Sequence, residues 1–131
     1  MLQTYKPGLQ LLEGQDMEQV NNNLFEVQDN IVAHAGGGFA GAPTLVAGNC
    51  RVTTCVSDND SVALPHAVAN PKYGLVNILV ANITAHSLNV EPQPADTINA
   101  GAAGVAFAVA SGKNALFFTT TTGKWYAILS A

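Results

Sequence analysis

The chain has 131 residues, a formal net charge of −4 and only 11% charged residues, against roughly 25% in an average soluble domain. Leu, Ile, Val and Phe account for 35 of the 131 residues, above the roughly one-fifth below which a chain stays disordered, so one packed domain is expected. The five cations (Lys6, Arg51, Lys72, Lys113, Lys124) are scattered, which excludes the clustered basic patch that phosphate binding requires, and no nucleic-acid partner is expected.

In chain order, Met1-Leu-Gln-Thr-Tyr-Lys-Pro-Gly has no apolar run of signal-peptide length and no small-residue cleavage site. No apolar run anywhere approaches the roughly 20 residues that cross a bilayer, so neither export nor a membrane partner is expected. Leu9, Leu11, Leu12, Met17, Val20 and Leu24 sit among Gln, Asn, Asp and Glu. Met17, Val20 and Leu24 fall at i, i+3 and i+7, one stripe of a helix. Gly14, or Asp16 with its side-chain acceptor, can begin that helix. Asn21-Asn22-Asn23 are poor interior residues, so the helix is expected to be short, from Gln15 to Asn23. Residues 1–30 read as an N-terminal arm whose Leu-rich part needs a partner, on the β domain or on a neighbouring subunit.

Beyond residue 30 the pattern is β. Strands are expected at Arg51–Val56, Ser61–Leu64, Leu75–Ile83, Ser87–Glu91, Gly104–Ala110, Ala115–Thr120 and Lys124–Ser130, separated by turn chemistry such as Asp58-Asn59-Asp60, Asn70-Pro71 and Thr122-Gly123. Strands every 8–12 residues with turns between them indicate a sandwich or barrel. His86, Leu88 and Val90 alternate with Ser87, Asn89 and Glu91, a buried face and a wet one. Leu75–Ile83 is apolar on both faces, so it is central or covered by another chain. Val105, Phe107 and Val109 alternate with alanines, and Trp125, Ala127 and Leu129 share a face opposite Tyr126 and Ile128. No long segment recurs, so no repeat array is expected. Cys50 and Cys55 stand five apart, which on an extended strand puts them on opposite faces and about 16 Å apart, beyond disulfide reach; two buried reduced thiols are expected.

Motifs that could carry chemistry read as turns. Gly36-Gly-Gly-Phe-Ala-Gly41 lacks the Lys-Ser/Thr of a phosphate loop. Ser111-Gly112-Lys113-Asn114 lacks the upstream glycine and the hydroxyl. His34, His66 and His86 are 32 and 20 residues apart, which is no metal pattern. Asp58-Asn59-Asp60 begins like a calcium loop but continues as a strand. No serine stands in a nucleophile motif, and Asn82-Ile83-Thr84 is a chance match to a glycosylation acceptor. Clustered histidines and acids of a small cupin-like enzyme are not seen on these strands.

Several segments carry a resemblance. They are Ala33-His-Ala-Gly-Gly-Gly, Cys50-Arg-Val-Thr-Thr-Cys, Ser61-Val-Ala-Leu-Pro-His-Ala-Val, the run Val76-Asn-Ile-Leu-Val-Ala-Asn-Ile-Thr-Ala-His-Ser-Leu-Asn-Val-Glu-Pro, Asp96-Thr-Ile-Asn-Ala, Ala110-Ser-Gly-Lys-Asn-Ala and Gly123-Lys-Trp-Tyr-Ala-Ile-Leu-Ser-Ala. With the leader Tyr5-Lys-Pro-Gly-Leu-Gln-Leu-Leu-Glu-Gly-Gln-Asp, these pieces resemble small virion proteins of tailed bacteriophages, of the head-decoration (cement) or short head-fibre type. The resemblance implies a non-enzymatic β-rich homo-oligomer, dimer or trimer, without catalytic residues, cofactor or metal. It would sit on the capsid exterior after assembly in the host cytoplasm, with the major capsid protein as partner. The expected fold is all-β: a single jelly-roll-like β-sandwich (31–131) preceded by the arm and its short helix (1–30). Leu9, Leu11, Leu12, Met17, Val20 and Leu24 are expected to make the subunit or capsid contact. The rival expectation is a receptor- or carbohydrate-binding fibre or spike module using Trp125 or Tyr126.

Overall fold

In this computed structural model the described residues, 26–69 and 76–131, form nine strands and no helix. β1 (Val27–Val32), β2 (Asn49–Thr54), β4 (Asn77–Asn82), β6 (Thr97–Ile98), β8 (Asn114–Thr121) and β9 (Lys124–Leu129) make one sheet in the order β1-β2-β4-β8-β9-β6. β3 (Asp60–Ala63), β5 (Leu88–Glu91) and β7 (Phe107–Val109) make a second sheet in the order β3-β5-β7. The architecture is two-sheeted and all-β, consistent with a sandwich.

The chain shuttles between the sheets. It runs up β2 in the large sheet, turns a corner into β3 of the small one, and returns to β4 beside β2. It then turns a second corner into β5 beside β3. β2 and β4 are parallel with Cys50 opposite Val80, and β3 and β5 are parallel with Val62 opposite Val90. Parallel neighbours need a long crossover, and here each crossover is a trip through the other sheet. β7 and β8 then run antiparallel to β5 and β4. A jelly roll is antiparallel throughout; the parallel pairs β1–β2, β2–β4, β3–β5 and β6–β9 depart from that expectation. The backbone thus repeats about once every 30 residues although no long segment of sequence does, because stacking uses main-chain bonds and asks of the side chains only that they be apolar inside.

Between the sheets lie Leu45, Val52, Val62, Leu64, Ile78, Val80, Leu88, Val90, Val109, Phe117 and Trp125, all without solvent exposure. Phe107 of the small sheet meets Phe117 of the large one edge-on, with ring centroids 5.7 Å apart, a favoured aromatic geometry. Trp125 is core, and its Nε1 donates to the Pro65 carbonyl at 3.2 Å.

Four expectations are corrected. β1 begins at Val27, inside the segment read as arm. Its alternation is broken by Asn30 at φ 54°, where the register with β2 shifts, and a bulge of this kind erases the period-two signal. The two-residue strand β6 was too short to read. Cys50 and Cys55 do not point apart: β2 ends at Thr54, the chain bends, and both thiols are free and buried in the core. Glu91 is buried rather than wet, because its carboxylate accepts a hydrogen bond from Ser61 Oγ at 2.9 Å.

At the second corner Asn82 points inward from the end of β4. Its Nδ2 donates to the carbonyls of His86 and Val109, each at 2.9 Å, and reaches that of Ala110 at 3.2 Å. Its Oδ1 accepts from Thr84 N and Oγ1 at 3.1 and 2.8 Å. The apparent glycosylation acceptor is therefore a buried bracket tying the β4–β5 corner to the β7–β8 turn. Replacing it with alanine orphans several buried groups, each worth roughly 1–3 kcal/mol. Asn82→Ala is expected to lower unfolding free energy by about 2–4 kcal/mol, read as a shifted urea midpoint.

Candidate interaction surface

Strand alternation sends Cys50, Val52, Ile78, Val80, Ala115, Phe117 and Trp125 inward from the large sheet, and their strand neighbours therefore face outward. The pairing aligns five of these neighbours in one row: Val27 opposite Asn49, Asn49 opposite Leu79, Leu79 opposite Leu116, and Leu116 opposite Ile128. At 4.8 Å per strand the row is about 19 Å long. Val27, Leu79 and Ile128 are 61%, 41% and 59% exposed. Beside the row Phe118 stacks on Tyr126, centroids 5.4 Å apart and planes 24° from parallel, and Lys124 Nζ lies 5.5 Å from the Tyr126 ring. On the other side Arg51 pairs with Asp29, with Nε 2.7 Å from Oδ1. The hydrogen bond from Arg51, helped by the Asn30 amide, holds the Asp29 carboxyl below its ordinary value. The face is an apolar strip bordered by one internally neutralised ion pair and one cation resting on an aromatic ring.

The polar motifs of the sequence are turned inward. Asp60 is buried at the β2–β3 corner and accepts from Gly36 N at 3.0 Å, Val56 N at 2.7 Å, and Ser57 N and Oγ at 3.2 Å. The glycine run thus offers an amide to an internal carboxylate. A side chain at Gly37, whose φ is +76°, would run into the Asn59 carbonyl. Burial pushes the Asp60 pKa up, but the amides of Gly36, Val56 and Ser57 outweigh it and hold the carboxyl below its ordinary value. Asp58 points elsewhere: it accepts from Ser87 N at 2.9 Å and lies 3.3 Å from His86 Nδ1. The Ser87 amide, then His86, lower its pKa. Asp58-Asn59-Asp60 is thus a turn, with Asn59 at φ 72°.

His66 is exposed while its Nδ1 lies 2.9 Å from the buried Asp96, whose Oδ2 also accepts from Ala67 N at 2.8 Å. Asp96 Oδ1, equally near Nδ1, has no hydrogen-bond partner among the described residues. Among those residues no three His, Cys, Asp or Glu side chains group as a metal site.

Leu9, Leu11, Leu12, Met17, Val20 and Leu24, and the helix from Gln15 to Asn23, lie outside the described residues. Trp125, one of two candidates for sugar stacking, is excluded by its burial; Tyr126 faces out. The row Leu79–Leu116–Ile128 was not found from sequence, because its members are far apart in the chain. The one available signal was that the β4 segment is apolar on both faces.

Because the folded-state pKa of Asp60 is depressed, the stability it contributes is complete above its unfolded value near 3.8 and is lost as pH falls through the lower folded value. The gap in urea midpoint between wild type and Asp60→Asn is expected at pH 7 and should shrink on titration below pH 3.8. Burial, partly offset by the Ala47 backbone, pushes Cys50 up to about 11, and burial raises Cys55 as well. At pH 8 only about one Cys50 thiol in a thousand is ionised, so an aromatic disulfide reagent should titrate neither thiol within minutes in the native protein and both in denaturant.

Comparison of the chain with protein-family models, with curated proteins and with solved structures finds no match in any of the three.

Proposed function

We propose that this chain is a non-enzymatic virion structural protein, a decoration or cement protein that binds the outside of a bacteriophage head as a homo-oligomer and stabilises contacts between major capsid proteins. The observation that carries the reading is the outer face of the six-stranded sheet, where Leu79, Leu116 and Ile128 stand in one row, with Val27 beyond Asn49, on a sparsely charged surface. Exposed apolar area of this kind marks protein contact, and desolvating it strips few charges of water. The resemblance to phage head proteins supplies the particle. The residues before β1, expected from the sequence to form an arm with a short helix, would supply Leu9, Leu11, Leu12, Met17, Val20 and Leu24 to the subunit or capsid contact.

Mixing purified protein with undecorated heads tests the reading. Saturable binding is expected for the full chain, and deletion of residues 1–24 should abolish attachment or oligomerisation while leaving the β circular dichroism. A full-length protein that binds no head at micromolar concentration overturns it. The second reading, a receptor- or sugar-binding fibre or spike module, draws on the half-buried Phe118–Tyr126 stack. Glycan binding lost on Tyr126→Ala with the fold intact would favour it instead.

A further inference from the structure

We propose that the open edge of the small sheet, strand β7, pairs antiparallel with the β7 of a second copy, about a two-fold axis through Phe107. This deepens the homo-oligomeric part of the reading above and rests on that part alone.

A strand edge offers a row of amides and carbonyls to another chain, and sheet proteins blunt such edges with charge, bulges or a covering segment. Three of the four sheet edges here are blunted. Beside β1 stand the Arg51–Asp29 ion pair and the left-handed Asn30, where the register breaks. β3 is covered by His34 and Thr44, which bridge to Ser61 and Ala63. β6 has only two residues. β7, the remaining edge, has no strand or bridge on its outer side among the described residues. No charged residue and no proline lies between Asp96 and Lys113.

The ladder decides which backbone groups point outward. Leu64 N donates to the Glu91 carbonyl at 2.8 Å, and Asn59 N to that of Ser87 at 2.9 Å. Ser87 and Glu91 thus bond toward β3, and by alternation Leu88 and Val90 bond toward β7, to their partners Val109 and Phe107. Ala106 and Ala108 therefore turn amide and carbonyl to the open side. Ala110 is no third member, because its carbonyl already accepts from Lys113 N at 3.0 Å.

The residues along this edge point to a second copy as the partner. Val105-Ala106-Phe107-Ala108-Val109 reads the same in both chain directions, and a two-fold contact must be complementary to itself. Centred on Phe107, the pairing sets Ala106 opposite Ala108 of the second copy, and Ala108 opposite Ala106. Each is a hydrogen-bonded pair that exchanges two bonds, about four in all. Phe107 then faces Phe107 in a pair of the other kind, in which side chains come closest, and Val105 faces Val109. Phe107 is half-buried, with its ring edge-on to Phe117, and Val105 is 52% exposed. By alternation both lie on the core side of β7, so the contact carries the apolar layer of one copy into the next. The alanines on the opposite side add no bulk against the approaching strand. Such an edge contact is smaller than the roughly 800 Å² per partner of a standard interface, so the dimer is weak and concentration-dependent in solution.

Analytical ultracentrifugation of the full chain up to about 1 mM, where even a millimolar association registers, tests the proposal. Wild type is expected to pass from monomer to dimer as it is concentrated, with the Ala106 and Ala108 amides gaining protection from hydrogen exchange. Ala108→Pro removes an outward amide at an edge position, where proline is tolerated. It costs the dimer about half of its main-chain bonds and should weaken it roughly 10- to 100-fold while keeping the β circular dichroism. Should that variant not fold, a charge swap replaces it. Ala106→Glu/Ala108→Glu and Ala106→Lys/Ala108→Lys should each stay monomeric, and their equimolar mixture should dimerise, because every carboxylate then faces an ammonium. Leu79→Glu, on the outer face of the large sheet, should dimerise like wild type. A wild type that is monomeric throughout this range overturns the proposal, as does a folded Ala108→Pro or charged variant that associates by itself as wild type does. Head binding is scored separately: a β7 dimer that binds no head supports the contact and sinks the virion reading. A monomeric wild type that binds heads does the reverse.

Discussion

Each passage between the two sheets takes the backbone around a corner, where only some of its amides and carbonyls find backbone partners, as the Asn59 amide does at the Ser87 carbonyl. Leaving such a group buried and unpaired costs roughly 1–3 kcal/mol, so a fold made of corners depends on how they are bonded. Here buried polar side chains carry that load. Asp60 gathers amides from the β2–β3 corner and from the glycine loop before it. Asn82 binds carbonyls of the β4–β5 corner and the β7–β8 turn. Asp96 holds the Ala67 amide and the His66 ring. These are residue types that attract a catalytic or metal-binding reading from sequence, and the structure uses them to hold its own backbone.

That use of polar groups shapes the exterior. With Asp60, Glu91 and Asp96 buried, three of only nine acids are withdrawn from the surface. The outer face of the large sheet carries an apolar row interrupted by Asn49, an aromatic pair, one neutralised ion pair, Lys124, and the uncharged Asn77 and Asn114. Such a face has little with which to attract ions or small polar ligands, and much with which to exclude water against another protein. The low charge content and the quiet chemistry thus have one physical origin: polar side chains serve the corners and apolar ones serve both sides of the sheet.

The central strands were legible wherever the period-two pattern was unbroken. β4, β5, β8 and β9 each lie within a residue or two of their expected spans, and the central place of β4 follows from its two apolar faces. Reading failed where a local exception overrode the pattern. Asn30 in a left-handed conformation hid β1. The bend after Thr54 turned Cys55 inward. A Ser61 hydroxyl made a buried site acceptable for Glu91. None of these depends on composition; each is a single conformation or a single partner.

Composition and alternation by themselves determined that this chain forms an all-β domain with an apolar interior and few surface charges, because which way a strand residue points is a local property of extended backbone. Only the tertiary structure decided that β2 lies parallel to β4, that Trp125 is core, and that Leu79, Leu116 and Ile128 stand side by side. Pairing partner and register are choices between segments distant in the chain, made by closing loops around corners. No short window of sequence contains both halves of that choice.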